Sequence, residues 1–161
     1  MKNLILDINR GEKIGLIGKS GSGKSTLLDI ITGMLDEYEG DVLIDGLSIK
    51  KGVRSWRNSI NYLSQNSVFL DDTIKNNILL GSKIVDEDLI KDAIRKSLLE
   101  ELIQSLPEKE NTKIGENAVK LSGGERQRIA FARLFYLKRD FLILDESTNA
   151  LDVETEKKVL E

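Results

Sequence analysis

One glycine-rich stretch constrains this chain more than any other part of its sequence. Residues 18–26 read Gly-Lys-Ser-Gly-Ser-Gly-Lys-Ser-Thr, which is the complete G-x-x-x-x-G-K-[ST] pattern. The stretch follows an apolar segment of strand length, Ile14–Gly18, and opens a helical pattern, Lys24–Met34. A strand, a glycine-rich loop and a helix in this order cradle a phosphate chain, because the loop N–H groups and the positive end of the helix dipole point at one place.

The residue types in this loop divide between shaping the backbone and supplying charge. Glycines let the backbone wrap closely around phosphates, Lys24 supplies a mobile positive charge for the β- and γ-phosphates, and the Ser25 hydroxyl can ligate Mg²⁺. The residues expected to contact a nucleotide are Gly18, Ser20, Gly21, Ser22, Gly23, Lys24, Ser25 and Thr26. The alternative is an ordinary glycine-rich turn before a helix, and this pattern alone does not separate a kinase, a GTPase and a transporter.

Further apolar segments predict an α/β fold. Continuous apolar runs at Ile14–Gly18 and Phe141–Asp145 are typical of strands buried on both faces of a parallel sheet. Other strands are predicted at 41–46 and 60–63, and other helices after Asp86, before Pro107 and over 122–137. This order predicts a core with a mostly parallel sheet and an inserted α-helical subdomain. We assign residues 1–65 and 136–161 to the core and about 66–135 to the subdomain.

Composition excludes several classes of function. The 161 residues include no cysteine and no histidine, which rules out disulfides, a thiol nucleophile and the usual zinc sites. The net charge of −3 argues against a broad nucleic-acid footprint, so we expect no nucleic-acid partner. No run of about 18 apolar residues occurs, so we expect a cytosolic domain that does not itself span a membrane.

Two adjacent carboxylates follow the last predicted strand. Asp145 ends that strand, where a carboxylate can reach the Mg²⁺ of a nucleotide held on a neighbouring loop. Glu146 comes next and can accept a proton from an attacking water. The alternative is that this acidic pair only caps a helix.

A second helix N-terminus has phosphate-binding character. Ser122 and Glu125 form a capping-box pattern, whose minimal interpretation is a well-started helix. Gly123 and Gly124 leave that N-terminus without bulky side chains, and a bare N-terminus binds phosphate well.

In their order and spacing, these segments resemble the ATP-binding cassettes of ABC proteins over nearly the whole chain. Residues 121–128 resemble the signature motif, with Glu125 where glutamine is usual. Residues 141–146 resemble the Walker B strand with its catalytic glutamate. Residues 147–152 resemble the D-loop, with Asn149 where serine is usual, and Gln65 matches the Q-loop glutamine.

The resemblance implies a P-loop NTPase (RecA-like) fold, ATP and Mg²⁺ as ligands, and ATP hydrolysis. The implied catalytic residues are Glu146, Gln65 and Lys24, and the implied metal ligands are Ser25, Gln65 and Asp145. It also implies a head-to-tail dimer with a second cassette. In that dimer, the segment Ser122, Gly123 and Gly124 of one cassette covers the γ-phosphate bound to the other.

Two stretches resemble the exporter branch of the family. Residues 73–78, Thr-Ile-Lys-Asn-Asn-Ile, resemble its T-I-x-x-N-I helix, and residues 112–116, Thr-Lys-Ile-Gly-Glu, resemble the loop that touches the partner's coupling helices. They imply a cassette at the cytoplasmic face of a membrane, working with a transmembrane domain that is fused or separate. The alternatives are a soluble ABC ATPase without a transport role and a non-catalytic nucleotide-binding remnant of a truncated gene.

Two features of the family pattern have no counterpart here. Its cassettes carry an aromatic residue that stacks on adenine ahead of the first strands, and a switch histidine after the D-loop, whereas this chain has no histidine. We therefore expect a piece of a longer polypeptide, cut short at both ends. In isolation it should keep its phosphate grip, bind adenine weakly, and hydrolyse ATP slowly or not at all.

Overall fold

The structure is a computed structural model that describes residues 3–64, 67–80, 82, 84–115 and 118–160. The chain forms two compact units, Met1–Asn58 and Ser59–Glu161, and each is described by itself. Among the described residues, no helix is long and apolar enough to cross a membrane.

The first unit consists of short elements. They are α1 (Lys24–Ile31), β1 (Leu43–Ile44), β2 (Leu47–Ser48), a 3₁₀ turn (Ile49–Lys51) and α2 (Val53–Asn58). β1 and β2 pair antiparallel around an Asp45-Gly46 turn, in which both residues have positive φ, 49° and 79°. Two such angles at Asp-Gly are typical of a tight hairpin turn. The predicted strand at 41–46 is thus shorter than expected, while its turn is confirmed.

The predicted strand at Ile14–Gly18 is wrong for this structure. The segment pairs with no strand in the described part of the chain, and the Ile17 side chain is fully exposed. An apolar run indicates a tendency to be buried, but a strand forms only where a neighbour accepts and donates the ladder hydrogen bonds. The sequence pattern names no such neighbour, so it overpredicts the strand.

The second unit contains a parallel strand pair and most of the helices. Its elements are β3 (Ile60–Leu63), α3 (Ile74–Leu79), α4 (Glu87–Lys96), α5 (Glu100–Ser105), a 3₁₀ turn (Lys109–Asn111), α6 (Gly123–Leu137), β4 (Phe141–Leu144) and α7 (Val153–Leu160). β3 and β4 run parallel, from Ile60 opposite Phe141 to Leu63 opposite Leu144. The predicted strands at 60–63 and 141–145 are confirmed, the second one residue shorter.

Helices α3, α4 and α6 begin at residues whose side chains cap them. The Asp86 carboxylate accepts hydrogen bonds from the N–H groups of Asp88 and Leu89, both at 3.0 Å, and starts α4. Apolar residues on one face of α4 then pack against α6, whose buried residues include Ile129 and Phe131. Helices α3, α4, α5 and most of α6 thus lie in the segment that we assign to the inserted subdomain, whose bounds of about 66–135 stay a prediction.

Candidate functional site

The glycine-rich loop lies in the first unit, directly before α1. Gly23 takes the N-cap position of α1 with a φ of 93°, and Gly21 has a φ of 78°, both in the left-handed region that favours glycine. A Cβ atom on Gly18 would lie 2.7 Å from Ser22 Oγ, so the loop is also too tight there for a side chain. Glycine at these positions therefore leaves the first N–H groups of α1 uncovered by bulky side chains.

Lys24 lies inside the curve of this loop. Its Nζ donates hydrogen bonds to the carbonyl oxygens of Gly18, at 2.7 Å, and Lys19, at 3.3 Å. The loop is exposed, as are Ser25 and Thr26 in the first turn of α1. A mobile ammonium group, a helix N-terminus and an accessible hydroxyl are thus grouped at one surface, which fits a phosphate chain with its Mg²⁺.

Asp145 lies in the second unit, at the carboxyl end of β4. Its N–H donates to the carbonyl oxygen of Leu63 at 2.9 Å, which extends the parallel ladder by one residue. The Tyr62 hydroxyl donates to Asp145 Oδ2 at 3.0 Å from the neighbouring strand β3. The Asp145 carboxylate is therefore held at the carboxyl end of the strand pair. Parallel sheets bind their ligands at this end of the strands. A carboxylate oxygen also suits Mg²⁺, which is usually bound by one or two carboxylates together with substrate phosphates.

Glu146 follows in an unusual backbone conformation. Its φ is 48°, in the left-handed region that residues with a side chain rarely adopt. The side chain is exposed, and Asn149 Nδ2 approaches its Oε2 at 3.5 Å. An exposed carboxylate with one weak partner is available to accept a proton from water.

The predicted capping box at the start of α6 is confirmed. Ser122 Oγ accepts from the Glu125 N–H at 3.3 Å, and Glu125 Oε2 accepts from the Ser122 N–H at 2.7 Å. Glutamate therefore performs the capping that glutamine would perform at this position. The two glycines that follow Ser122 begin α6, as the sequence predicts.

The two stretches that resemble exporters lie side by side. Ile74 N–H donates to the carbonyl oxygen of Thr112 at 3.1 Å, and Ile114 N–H donates to that of Asp72 at 3.2 Å. Thr73 and Lys113 form an antiparallel bridge between these bonds. Segments about 40 residues apart in sequence are thus joined through their backbones.

A buried arginine joins α6 to α3, and sequence reasoning missed it. Arg133 is 7% exposed; its Nε donates to the Asn77 carbonyl oxygen at 2.7 Å and its Nη2 to Asn77 Oδ1 at 3.1 Å. The guanidinium carbon lies 4.6 Å from the centroid of the Phe69 ring. Burial lowers the pKa of Arg133 to about 10, which still leaves it charged at neutral pH.

Some predicted residues are not described. Gln65 and Glu116 lie outside the described residues, so their predicted roles are not tested. The glycine-rich loop belongs to the first unit, and Asp145, Glu146 and residues 122–124 belong to the second.

Two contacts at the site were not predicted, those of Tyr62 with Asp145 and of Gln127 with Ala150. Each depends on a pairing between segments distant in sequence. A polar residue on a strand next to a predicted acidic site is the one signal that points to Tyr62.

The fold and these motifs define a P-loop nucleotide-binding domain. Comparison with known proteins is more specific, because residues 1–149 match the family model described as "ABC transporter". The chain therefore belongs to the ABC transporter family.

Two of the similar proteins are exporters by name. Putative multidrug export ATP-binding/permease proteins of Staphylococcus aureus strains NCTC 8325 and COL are each 40% identical over 162 aligned positions, covering 100% of this chain and 28% of theirs. A bacterial Atm1-family ABC exporter, solved with ATP bound, superposes with a TM-score of 0.83 and 36% identity, over 88% of this chain and 25% of that one. The chain thus spans between a quarter and a third of the length of these relatives.

Proposed function

We propose that this chain is the nucleotide-binding domain of an ABC exporter, which binds Mg·ATP and hydrolyses it to drive a substrate across a membrane. The observation that carries the proposal is the loop before α1, where Lys24 lies inside a glycine-rich curve at an accessible helix N-terminus. Backbone N–H groups, a helix dipole and one ammonium group suit a triphosphate. Family membership favours ATP as the nucleotide.

Each site residue has a distinct role in this proposal. Lys24 and the loop N–H groups bind the β- and γ-phosphates, and Ser25, Gln65 and Asp145 hold Mg²⁺. When bound, Mg²⁺ neutralises charge on the phosphate oxygens. Glu146 accepts a proton from the attacking water, and Gln65 contacts that water and the metal.

The second cassette and the membrane domain are proposed partners. Ser122, Gly123 and Gly124 cover the γ-phosphate bound by the partner cassette, because a helix N-terminus attracts an anion. A membrane-spanning domain would carry the transported substrate and hold this chain at the cytoplasmic face.

Export rather than another use of ATP is supported by two observations. The similar proteins named above are exporters that combine an ATP-binding region with a permease. Residues 72–74 and 112–114, which belong to or border the two exporter-like stretches, are also joined by backbone hydrogen bonds in this chain.

Binding of Mg·ATP to the chain tests the first half of the proposal. We expect Mg·ATP to raise the melting temperature, since a ligand that binds only the folded state stabilises it. Lys24→Ala should abolish the rise, whereas Lys91→Ala, a change of an exposed lysine on α4, should keep it. Equal rises in the wild-type and Lys24→Ala chains would contradict the assignment of the loop.

Turnover in the full-length protein tests the second half. Glu146→Gln removes the proton acceptor but keeps the size of the side chain, so ATP binding should persist while hydrolysis falls by at least about 100-fold. The measurement is phosphate release at saturating Mg·ATP, together with the dissociation constant for ATP. Unchanged turnover would remove Glu146 from its role as the general base.

A further inference from the structure

The turn at residues 147–152 is packed against the first residues of α6. Gln127 Oε1 accepts a hydrogen bond from the Ala150 N–H at 3.1 Å. A Cβ atom on Gly123 would lie 3.3 Å from Ala150 Cβ, and one on Gly124 would lie 3.2 Å from the Ala150 carbonyl oxygen. Three residues of α6 thus meet one residue of the turn, and two of them are glycines that leave it room.

Beyond these contacts, the local shape of the turn holds Ala150 in place within the described part of the chain. The Leu151 N–H closes the turn on the Thr148 carbonyl oxygen at 2.9 Å, and Leu151 packs against the core. Ser147 is buried at the start of the turn, whereas Asn149 and Ala150 at its tip are exposed. The hydrogen bond that the Ala150 N–H donates to Gln127 is therefore the polar contact that fixes the exposed tip of the turn to α6.

We propose that Gln127 is a positioning residue, which fixes the 147–152 turn to the start of α6 and so holds both segments as one rigid surface. Its link to catalysis rests on the proposed function. Glu146 directly precedes the turn, and Ser122–Gly124 lie three to five residues before Gln127, at the N-terminus of the same helix. A shift of the turn relative to α6 would therefore change the position of the general base relative to the segment that faces the partner cassette.

The chemistry of the bond defines a series of variants. Only the oxygen acceptor of Gln127 is used, so Gln127→Glu keeps the bond, whereas Gln127→Ala and Gln127→Lys lose it. Gln104→Ala is the matched control, because Gln104 is an exposed glutamine on α5. Lysine nearly keeps the side-chain length, so it separates loss of the acceptor from loss of bulk.

Amide hydrogen exchange of the chain, measured by NMR, decides the proposal without any nucleotide. Loss of one hydrogen bond should speed exchange at the Ala150 amide on the order of fivefold in Gln127→Ala and Gln127→Lys. The Gln127→Glu and Gln104→Ala chains should exchange like the wild type. Unchanged exchange in Gln127→Ala, or equally fast exchange in Gln127→Glu, would overturn the proposal.

Steady-state kinetics of the full-length protein measure the consequence for catalysis. Because Gln127 acts through the turn, Gln127→Ala should lower kcat several-fold and leave KM for ATP unchanged. The Gln127→Glu protein, which keeps the bond, should retain the wild-type kcat. A raised KM with unchanged kcat would contradict this role. A wild-type protein without ATP turnover would contradict the proposed function instead, while the exchange result would still decide the positioning role.

Discussion

Gly33 shows how a single residue can determine the local backbone. It is buried just after α1 and has a φ of 69°, in the left-handed region. A Cβ atom there would lie 2.6 Å from Val53 Cγ2 of α2, and the Gly33 carbonyl oxygen accepts a hydrogen bond from Arg57 Nη2. Any other residue at this position would be strained and would also push α2 away from the end of α1.

We therefore expect Gly33→Ala to destabilise the first unit by about 1–3 kcal/mol. Trp56 is the only tryptophan and donates its indole N–H to the Ile31 carbonyl oxygen at 2.7 Å, so its fluorescence during urea unfolding reports on this unit. Gly15→Ala is the matched control, since Gly15 lies outside the left-handed region and has open space around it. Equal stability of the two variants would contradict the strain at Gly33.

At the scale of elements, α3 and α6 are linked through one polar cluster. Asn77 is fully buried, and its side chain bonds with both the N–H and the carbonyl oxygen of Leu70, at 2.9 and 3.1 Å. Its Oδ1, which also accepts the Leu70 N–H, and its backbone carbonyl oxygen accept the two bonds from Arg133. The charge of Arg133 is thus kept in the core by one residue of α3 and the Phe69 ring.

Asn77→Ala should lower the free energy of unfolding by about 2–4 kcal/mol, because it removes a bond to a buried cation as well as those to Leu70. In Asn77→Leu/Arg133→Met the charge is absent, so the double variant should be more stable than Asn77→Leu alone. Urea unfolding of the wild type, Asn77→Leu, Arg133→Met and the double variant completes a double-mutant cycle. The cycle measures the coupling free energy between the side chains at positions 77 and 133. A coupling energy near zero would mean that the side-chain bond between Asn77 Oδ1 and Arg133 does not link the helices.

The elements also show which features the sequence could predict. Caps are local, so Asp86 and Ser122 correctly located the starts of α4 and α6. Contacts between distant segments depend on the packed fold, which is why the partners of Arg133 and Gln127 were not predicted. The strand predicted at 14–18 is wrong for the same reason, because an apolar run carries no information about which strand would pair with it.

At the scale of the whole molecule, the buried core is concentrated in the second unit. The main cluster of buried apolar residues runs from Leu63 to Val159, whereas Ile49 is the one buried large apolar residue described in the first unit. The glycine-rich loop therefore belongs to the unit with less buried apolar surface, and Glu146 and the α6 N-terminus belong to the unit with more. A ligand that binds only the folded form of the loop should stabilise the first unit by an amount set by its concentration and its dissociation constant.

The response of the molecule to acid follows from carboxylates that accept hydrogen bonds. Bonds from Asn76 and the Thr73 N–H lower the pKa of Asp72, bonds from Lys96 and Arg95 lower that of Asp92, and bonds from Thr155 lower that of Asp152. Each group therefore binds its proton more weakly in the folded chain than in the unfolded one. The stability that it contributes is present above the unfolded pKa, near 4, and is lost as the pH falls through the folded pKa.

We expect the urea midpoint to be steady near neutral pH and to fall as the pH drops below about 4. Asp72→Asn keeps an oxygen acceptor for the Thr73 N–H and the Asn76 amide but does not titrate, so its midpoint should fall less steeply. Asp71→Asn, which changes the exposed neighbouring carboxylate and leaves the hydrogen bonds of Asp72 in place, is the matched control for the loss of one charge. Parallel curves for Asp72→Asn and the wild type would mean that these hydrogen bonds do not favour the charged form of Asp72, because a lowered folded-state pKa requires a pH-dependent contribution to stability.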